Sequence, residues 1–262
     1  MGQVIAVSNQ KGGVGKTTTA VNLAACLGAL GYPTLIVDMD PQANASSALG
    51  VTPHEPATTI MACLAHDAPP RPLDLDKVAP NVSLLPSSLD LAGAELDFLR
   101  ELGGPLRLRD VLAPLRERFD FIIVDSPPSL SLLSLNALAA ADWALVPVQA
   151  EFLSLEGLAH MIRTIERVKV EYNPALELLG LVVTLYDGRT RLAGEVVQEL
   201  ERAFNGKLFS TRIVRSVRLS EAPSHGLPII YYDFRSAGAQ SYIHLSEEIL
   251  DVCEKAGPRA GA

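Results

Sequence analysis

The chain has 262 residues, 48% of them apolar, and a formal net charge of −8. That is enough to bury a full core, and one α/β domain over residues 1–255 with a flexible tail at 256–262 is expected. No apolar run reaches the roughly 18 residues of a membrane span, and in so acidic a chain any contact with nucleic acid must come from a local basic patch.

The N-terminus "MGQVIAVSNQ" carries no basic region or cleavage site, so no signal peptide is read. Its Met-Gly start hints at N-myristoylation, but the apolar run from Val4 to Val7 reads as a first strand that would bury this end. "VIAVS" leads into the glycine-rich "NQKGGVGK". "TTTAVNLAACLGALG" follows as a helix, with Ala20, Leu23, Ala24 and Leu27 at helical spacing and Gly31 closing it. "TLIVDMD" is a buried strand, and "PQANASSALGV" a polar loop entering a short helix. Residues 52–80, rich in Pro and Ala, are the least regular stretch. "VSLLPSS" reads as a strand, "LDLAGAELDFLREL" and "RLRDVLAPLRERF" as helices, and "FDFIIVDSPPS" as a strand ending in a turn. Helix "LLSLNALAAA", strand "WALVPVQ" and the long amphipathic helix "LEGLAHMIRTIERVKVEY" come next. Strand "LELLGLVVTLYD", helix "LAGEVVQELERAF", the short strands "LFSTRIV" and "LPIIYY", and a closing helix from Ser236 complete the chain. Continuous β-branched runs between helices imply a mostly parallel sheet covered on both faces, a doubly wound α/β fold.

The cysteines, Cys26, Cys63 and Cys253, are odd in number and far apart. With no paired spacing, neither disulfides nor a zinc site are expected, and a reducing cytoplasm fits. The five histidines show no ligand spacing. Trp143, Tyr231, Tyr232 and Phe234 form no ladder on which single-stranded bases would stack.

Chemistry concentrates in three places. In the loop after the first strand, Gly12, Gly13 and Gly15 let backbone N–H groups converge on an anion at a helix N-terminus. Lys16 would reach the terminal phosphates of a nucleotide and the Thr17 hydroxyl a Mg²⁺ ion. The usual phosphate-loop pattern begins with Gly, where this chain has Gln10. Secondly, Asp38, Asp40 and Asp125 close or follow strands, and carboxylates at the C-terminal ends of parallel strands sit where such loops bind ligands. An apolar strand ending in Asp places Asp125 to hold a Mg²⁺ shell through water. Thirdly, Lys207, Arg212, Arg215 and Arg218 follow one another without an intervening acid, with Arg189 and Arg191 upstream. Clustered cations of this kind suit sequence-independent phosphate contacts.

"KGGVGKTT" resembles the deviant Walker A motif of the ParA/MinD family, the signature-lysine ATPases. The resemblance assigns Lys11, Gly12, Gly13, Val14, Gly15, Lys16, Thr17 and Thr18 to ATP. It implies that Lys11 crosses a dimer interface to the partner's phosphates, that Asp40 positions the attacking water, and that Asp38 supports the loops and the Mg²⁺ shell. No arginine finger is evident, so hydrolysis is expected to be slow. The chain lacks the paired cysteines of the nitrogenase iron protein branch, and its tail "DVCEKAGPRAGA" is unlike the amphipathic membrane helix of the MinD branch. "RIVRSVRLSEAPSHGLPIIYYDFRSAGAQSY" and "DPQANASSALG" resemble the corresponding blocks of the ParA/Soj branch. Val214, Ser216, Phe234 and Ala43 depart from it, and Val214 lies in the segment expected near the adenine. No helix-turn-helix domain precedes the loop. The resemblance implies a cytoplasmic, nucleoid-associated ATPase that dimerises on Mg-ATP and binds double-stranded DNA nonspecifically through Arg189, Arg215 and Arg218. A ParB-type partner would stimulate it to drive chromosome or plasmid partition, with no membrane involved. Two alternatives stay open: an ATP-dependent small-molecule enzyme of the dethiobiotin synthetase type, and a positioning ATPase with a protein cargo.

Overall fold

Strict alternation along the central strands divides the core into two layers. Val4 and Ala6, Leu35 and Val37, and Ile122 and Val124 point to one face; Ile5 and Val7, Ile36, and Phe121 and Ile123 point to the other. Successive side chains of a strand must face opposite ways, so an unbroken apolar run requires helices on both sides. The computed structural model describes residues 1–52, 58–66, 68–93, 104–151 and 154–257.

Among the described residues eight strands form one sheet: β1 (Gln3–Val7), β2 (Thr34–Asp38), β3 (Leu73–Asp74), β4 (Val82–Leu85), β5 (Phe121–Asp125), β6 (Trp143–Gln149), β7 (Glu177–Tyr186) and β8 (Leu208–Val214). Their order is β3-β4-β2-β5-β1-β6-β7-β8, parallel except for the β3–β4 pair. The helices are α1 (Lys16–Ala29), α2 (Asn44–Ala48), α3 (Ile60–His66), α4 (Arg107–Leu112), α5 (Leu132–Ala139), α6 (Ser154–Glu171), α7 (Arg191–Ala203), α8 (Val217–Glu221), α9 (Ile229–Tyr232) and α10 (Ala237–Ala256). Leu23 and Leu27 of α1 and Tyr242, Leu245 and Ile249 of α10 cover one face. The opposite face is covered from α3 to α7, through Ile60, Leu108, Leu138, Met161 and Leu200. The doubly wound parallel architecture expected from the sequence is therefore the observed one.

Two local expectations are corrected. "LPIIYY" is not a strand: Pro228 stands at the N-cap of α9 in extended conformation, and the Ile229 amide donates to Asn22 Oδ1 at 2.7 Å. A short apolar run fits a buried helical turn as well as a strand. The stretch 52–80, expected to be the least regular, contains only α3 and β3 among its described residues. The helix expected over 107–119 stops at Leu112 and continues as a 3-10 turn over Ala113–Leu115, because Pro114 cannot donate into a helical ladder. Most of the helix expected over 89–102 lies outside the described residues.

The chain start is tied down. Gly2 is buried, its amide donating to Arg116 O at 2.6 Å, and a Cβ there would sit 2.0 Å from Phe119 O. The Arg116 guanidinium forms a buried ion pair with Asp142 at 2.9 Å, and Asp142 accepts the Val4 amide at 2.7 Å. With every partner in place, this pair fixes the starts of β1 and β6, and so the opposite ends of both strands, where the site is built.

Candidate functional site

The loop between β1 and α1 carries its shape in its glycines and its anchorage in distant side chains. Gly13 (φ 72°) and Gly15 (φ 82°) occupy the left-handed region, which costs a side-chain-bearing residue energy and a glycine almost none. Gly15 caps α1, so Lys16 opens that helix. Thr184 Oγ1 of β7 donates to Val14 O at 2.8 Å, and Gln149 Nε2 at the end of β6 donates to Gly13 O at 3.0 Å. Asn9 Nδ2 donates to Pro147 O at 2.7 Å, and Asn9 Oδ1 accepts the Lys11 amide at 3.0 Å. Gln10, the departure from the usual pattern, donates from Nε2 to Thr164 Oγ1 on α6 at 2.9 Å. Apart from the Asn9–Lys11 contact, these partners lie more than 130 residues from the loop in sequence.

The two loop lysines are turned to different partners. Lys16 is buried, and its Nζ donates to Lys11 O at 3.0 Å. Burial lowers its pKa, while Asp125 and Asp40 hold it up. Lys11 points outward and pairs with Glu151.

The carboxylates meet by register. Asp38 and Asp125 are paired positions at the ends of β2 and β5, and Val7 on β1 pairs with Asp125. Asp40 follows two residues beyond Asp38. Asp38 is fully buried and committed: Oδ2 accepts the Ser46 amide at 2.8 Å and Ser46 Oγ at 2.7 Å, and Oδ1 accepts the Asp40 amide at 3.2 Å. Burial pushes its pKa up to about 6 against those hydrogen bonds. Asp40 Oδ1 accepts the Gln42 amide at 2.9 Å. Asp125 differs from both. It is fully buried, and neither carboxylate oxygen has a well-formed hydrogen bond. Burial and the Asp38 and Asp40 charges push its pKa well up, and the nearby Thr17 hydroxyl and Lys16 offset only part of this. Three buried carboxylates against one buried ammonium leave an excess of negative charge, and buried polar atoms without partners are costly. A divalent cation held by oxygen ligands would remove both deficits, so the site fits Mg²⁺, with Asp125 and Thr17 as the side chains placed to serve it.

Beside these groups lies a cavity of about 440 Å³, a size suited to a small organic ligand. Gly13, Gly15, Lys16, Thr17, Thr18 and Asp40 line its polar end. Its apolar end is formed by Leu185, Ala222, Pro223 and Leu227, with Ala48 of α2. Val214, expected near the base, does not line it; the apolar wall comes instead from the "EAPS" turn and from Leu185. Leu185 sits at φ 50°, an uncommon conformation for leucine, and no sequence signal marked it.

The basic residues divide between the two edges of the sheet. Lys207 precedes β8, donates to Leu178 O at 2.9 Å at the start of β7, and so stands away from the others. Arg189 and Arg215 follow β7 and β8, at the same edge as the loop, and Arg218 lies on α8. Arg189 pairs with Asp187 at 2.6 Å, and Arg218 with Glu221 at 2.9 Å and Asp233 at 3.4 Å. Arg212 lies over the Tyr186 ring at 5.0 Å and reaches Glu201. Among the described residues Arg215 makes no ion pair. No helix among the described residues is long and apolar enough to cross a membrane.

Comparison with known proteins bears on these groups. A family described as an AAA domain matches residues 2–178. The chain is 45% identical over 259 residues to "Chromosome partitioning protein ParA" of Myxococcus xanthus, covering 99% of this chain and 92% of that one. It is 43% identical over 249 residues to "Sporulation initiation inhibitor protein Soj" of Bacillus subtilis, covering 95% and 98%. Among solved structures, cobyrinic acid a,c-diamide synthase from Mycobacterium smegmatis with bound ADP and magnesium superposes with a TM-score of 0.84 at 34% identity, covering 100% of this chain and 99% of that one. The same protein has been solved with an ATP analogue and magnesium.

Proposed function

The chain belongs to the ParA/Soj partitioning ATPases, and from that premise we propose that it is an ATP-gated dimeric switch on DNA. Two subunits bound to Mg-ATP associate, bind double-stranded DNA without regard to sequence, and let it go after slow hydrolysis that a ParB-type partner stimulates. One observation carries this reading: a glycine loop with two lysines faces a buried, unsatisfied Asp125 at the C-terminal edge of a parallel sheet. The reading places the protein in the cytoplasm, on the nucleoid.

The residues divide the work. The backbone from Lys11 to Thr18 cradles the phosphates, and Lys16 exchanges the Lys11 carbonyl for them. Thr17 and Asp125 would hold Mg²⁺, Asp125 through water, and the ion would neutralise phosphate charge. Asp38 is committed to Ser46, so its part is to fix the turn into α2. Asp40 orients the attacking water and takes up its proton. Lys11 serves the nucleotide of the other subunit. Arg189, Arg215 and Arg218, all beyond the same sheet edge, contact DNA phosphates, and pairing two subunits doubles that patch.

The test is co-sedimentation with DNA in the presence of ATP, ADP or no nucleotide, beside ultracentrifugation of a hydrolysis-blocked variant. Retention with ATP alone, by a dimer, is expected. A protein that stays monomeric at saturating Mg-ATP overturns the reading.

A second reading has one specific observation behind it, since the Mycobacterium smegmatis neighbour is named for small-molecule synthesis. Under that reading, ADP formation would require a small carboxylic acid and would ignore DNA. A positioning ATPase with a protein cargo would keep the dimer and its DNA retention, and differ only in what it carries.

A further inference from the structure

Lys11 Nζ lies 3.0 Å from Glu151 Oε2, in a pair whose side chains are 35% and 57% exposed. The backbone of Lys11 is held on both sides: its amide by Asn9 Oδ1 and its carbonyl by Lys16 Nζ, each at 3.0 Å. The side chain carries the contact with Glu151, which stands just past β6. The same end of β6 already grips the loop, through Gln149 to Gly13 and through Pro147 to Asn9. The Glu151 amide in turn donates to Gln149 O at 2.8 Å. Glu151 thus follows directly on the strand that positions the loop.

We infer that Glu151 is a positioning residue that holds Lys11 on its own subunit, so that breaking this pair sets the Mg-ATP-dependent threshold for dimerisation. The inference rests on the dimer reading given above. Three physical points support it. A half-exposed ion pair is weak and breaks readily. A triphosphate presented by a second subunit carries several negative charges against one on Glu151, so it wins the lysine once the site is closed to water. Nucleotide arriving in the first subunit also draws Lys16 away from the Lys11 carbonyl and so removes one of the two backbone anchors. Loading a subunit therefore loosens the residue it must lend, while Glu151 keeps an unpartnered subunit from offering its lysine early.

Glu151→Gln keeps the size of the side chain and removes its charge. In an Asp40→Ala background that blocks hydrolysis, the dimer dissociation constant with saturating Mg-ATP should fall. The fall should be roughly 1.5- to 5-fold for each pair released, and two pairs are released per dimer. The gain should shrink towards nothing as ionic strength rises, a response that a merely structural role would not give. Binding of a fluorescent ATP analogue to the isolated subunit should be unchanged. Glu151→Ala should repeat the gain. Unchanged or weaker association in both variants, with normal circular dichroism and nucleotide binding, overturns the role of Glu151 alone. If the Asp40→Ala parent itself stays monomeric, the dimer reading fails and takes this inference with it.

Discussion

Lys16 donates its ammonium to the backbone carbonyl of Lys11 at 3.0 Å, joining the two cations that distinguish this loop. Burial lowers its pKa, Asp125 and Asp40 offset part of the fall, and its direct hydrogen-bond partner is a neutral carbonyl. A phosphate in place of that carbonyl gives it a charged hydrogen-bond partner. Lys16→Ala should therefore weaken ATP binding on the order of 100-fold or more, the cost of removing one partner from a desolvated charge pair. Calorimetric titration with Mg-ATP reads this directly, and retention of ordinary affinity would move the phosphate site elsewhere.

Asp40 is buried, with one oxygen committed to the Gln42 amide. It lines the same cavity as Thr17 and Lys16, which places a proton acceptor beside the phosphate end. Asp40→Ala should lower phosphate release by about 10²- to 10⁴-fold, the usual contribution of general base catalysis, while leaving ATP bound and the dimer intact. Turnover within tenfold of the parent would assign the water to another group.

Much of this was legible in the sequence, and the reason is locality. Strands such as Phe121–Asp125 declare themselves by an unbroken apolar run ending in an acid, and a glycine loop between strand and helix needs only consecutive residues. What could not be read depends on which strands lie side by side. Gln10 meets Thr164, Gln149 meets Gly13 and Lys11 meets Glu151 across separations of 154, 136 and 140 residues. All three follow from β6 pairing with β1 and from α6 leaving β6. The arginines tell the same story. No acid interrupts the run from Lys207 to Arg218 in the chain, yet Glu201 reaches Arg212 and Asp233 reaches Arg218 in space. Lys207 is close to them in sequence and lies at the far edge.

Arg189 and Arg218 enter any DNA contact already paired with carboxylates, and Arg189 holds the Asp187 pKa down at about 2. These pairs are exposed, so a DNA phosphate should displace the carboxylates at small cost. Arg189→Glu and Arg218→Glu should abolish ATP-dependent DNA retention without affecting dimerisation. Asp187→Asn should strengthen retention severalfold. With about six phosphates neutralised per dimer, three arginines from each subunit, the log–log salt slope should be roughly −5. Gel-shift titrations at several salt concentrations test all of this, and unchanged binding by Arg189→Glu would place the patch elsewhere.

Cys26 is buried on α1, and its thiol is pushed up from 9.0 to about 12 by burial, with Ser246 offsetting part of the shift. A raised pKa in the folded state means that the neutral thiol belongs to the native protein. Its contribution is fully present below pH 9 and is lost as pH climbs towards 12, because the unfolded chain ionises first. The urea midpoint should accordingly fall between pH 8 and pH 10.5, and fall less steeply in Cys26→Ala. Parallel slopes in the two proteins would show that another group governs the alkaline limb.

The sheet ends at β8, where one carboxylate meets two backbone amides. Glu248 of α10 accepts the Ser210 amide on Oε2 and the Thr211 amide on Oε1, each at 2.8 Å. An edge strand with unsatisfied amides invites pairing with another chain, and a charged acceptor both satisfies those amides and repels a second strand. Glu248→Ala should lower stability by about 1 to 2 kcal/mol, near the lower range for hydrogen bonds to a charged group because the site is partly solvated. It should also raise nucleotide-independent self-association. Thermal unfolding and light scattering without ATP measure the two effects separately. Glu248→Gln, which keeps one acceptor and loses the charge, should recover most of the stability and less of the solubility. Equal recovery of both would mean that hydrogen bonding alone, without charge, protects this edge.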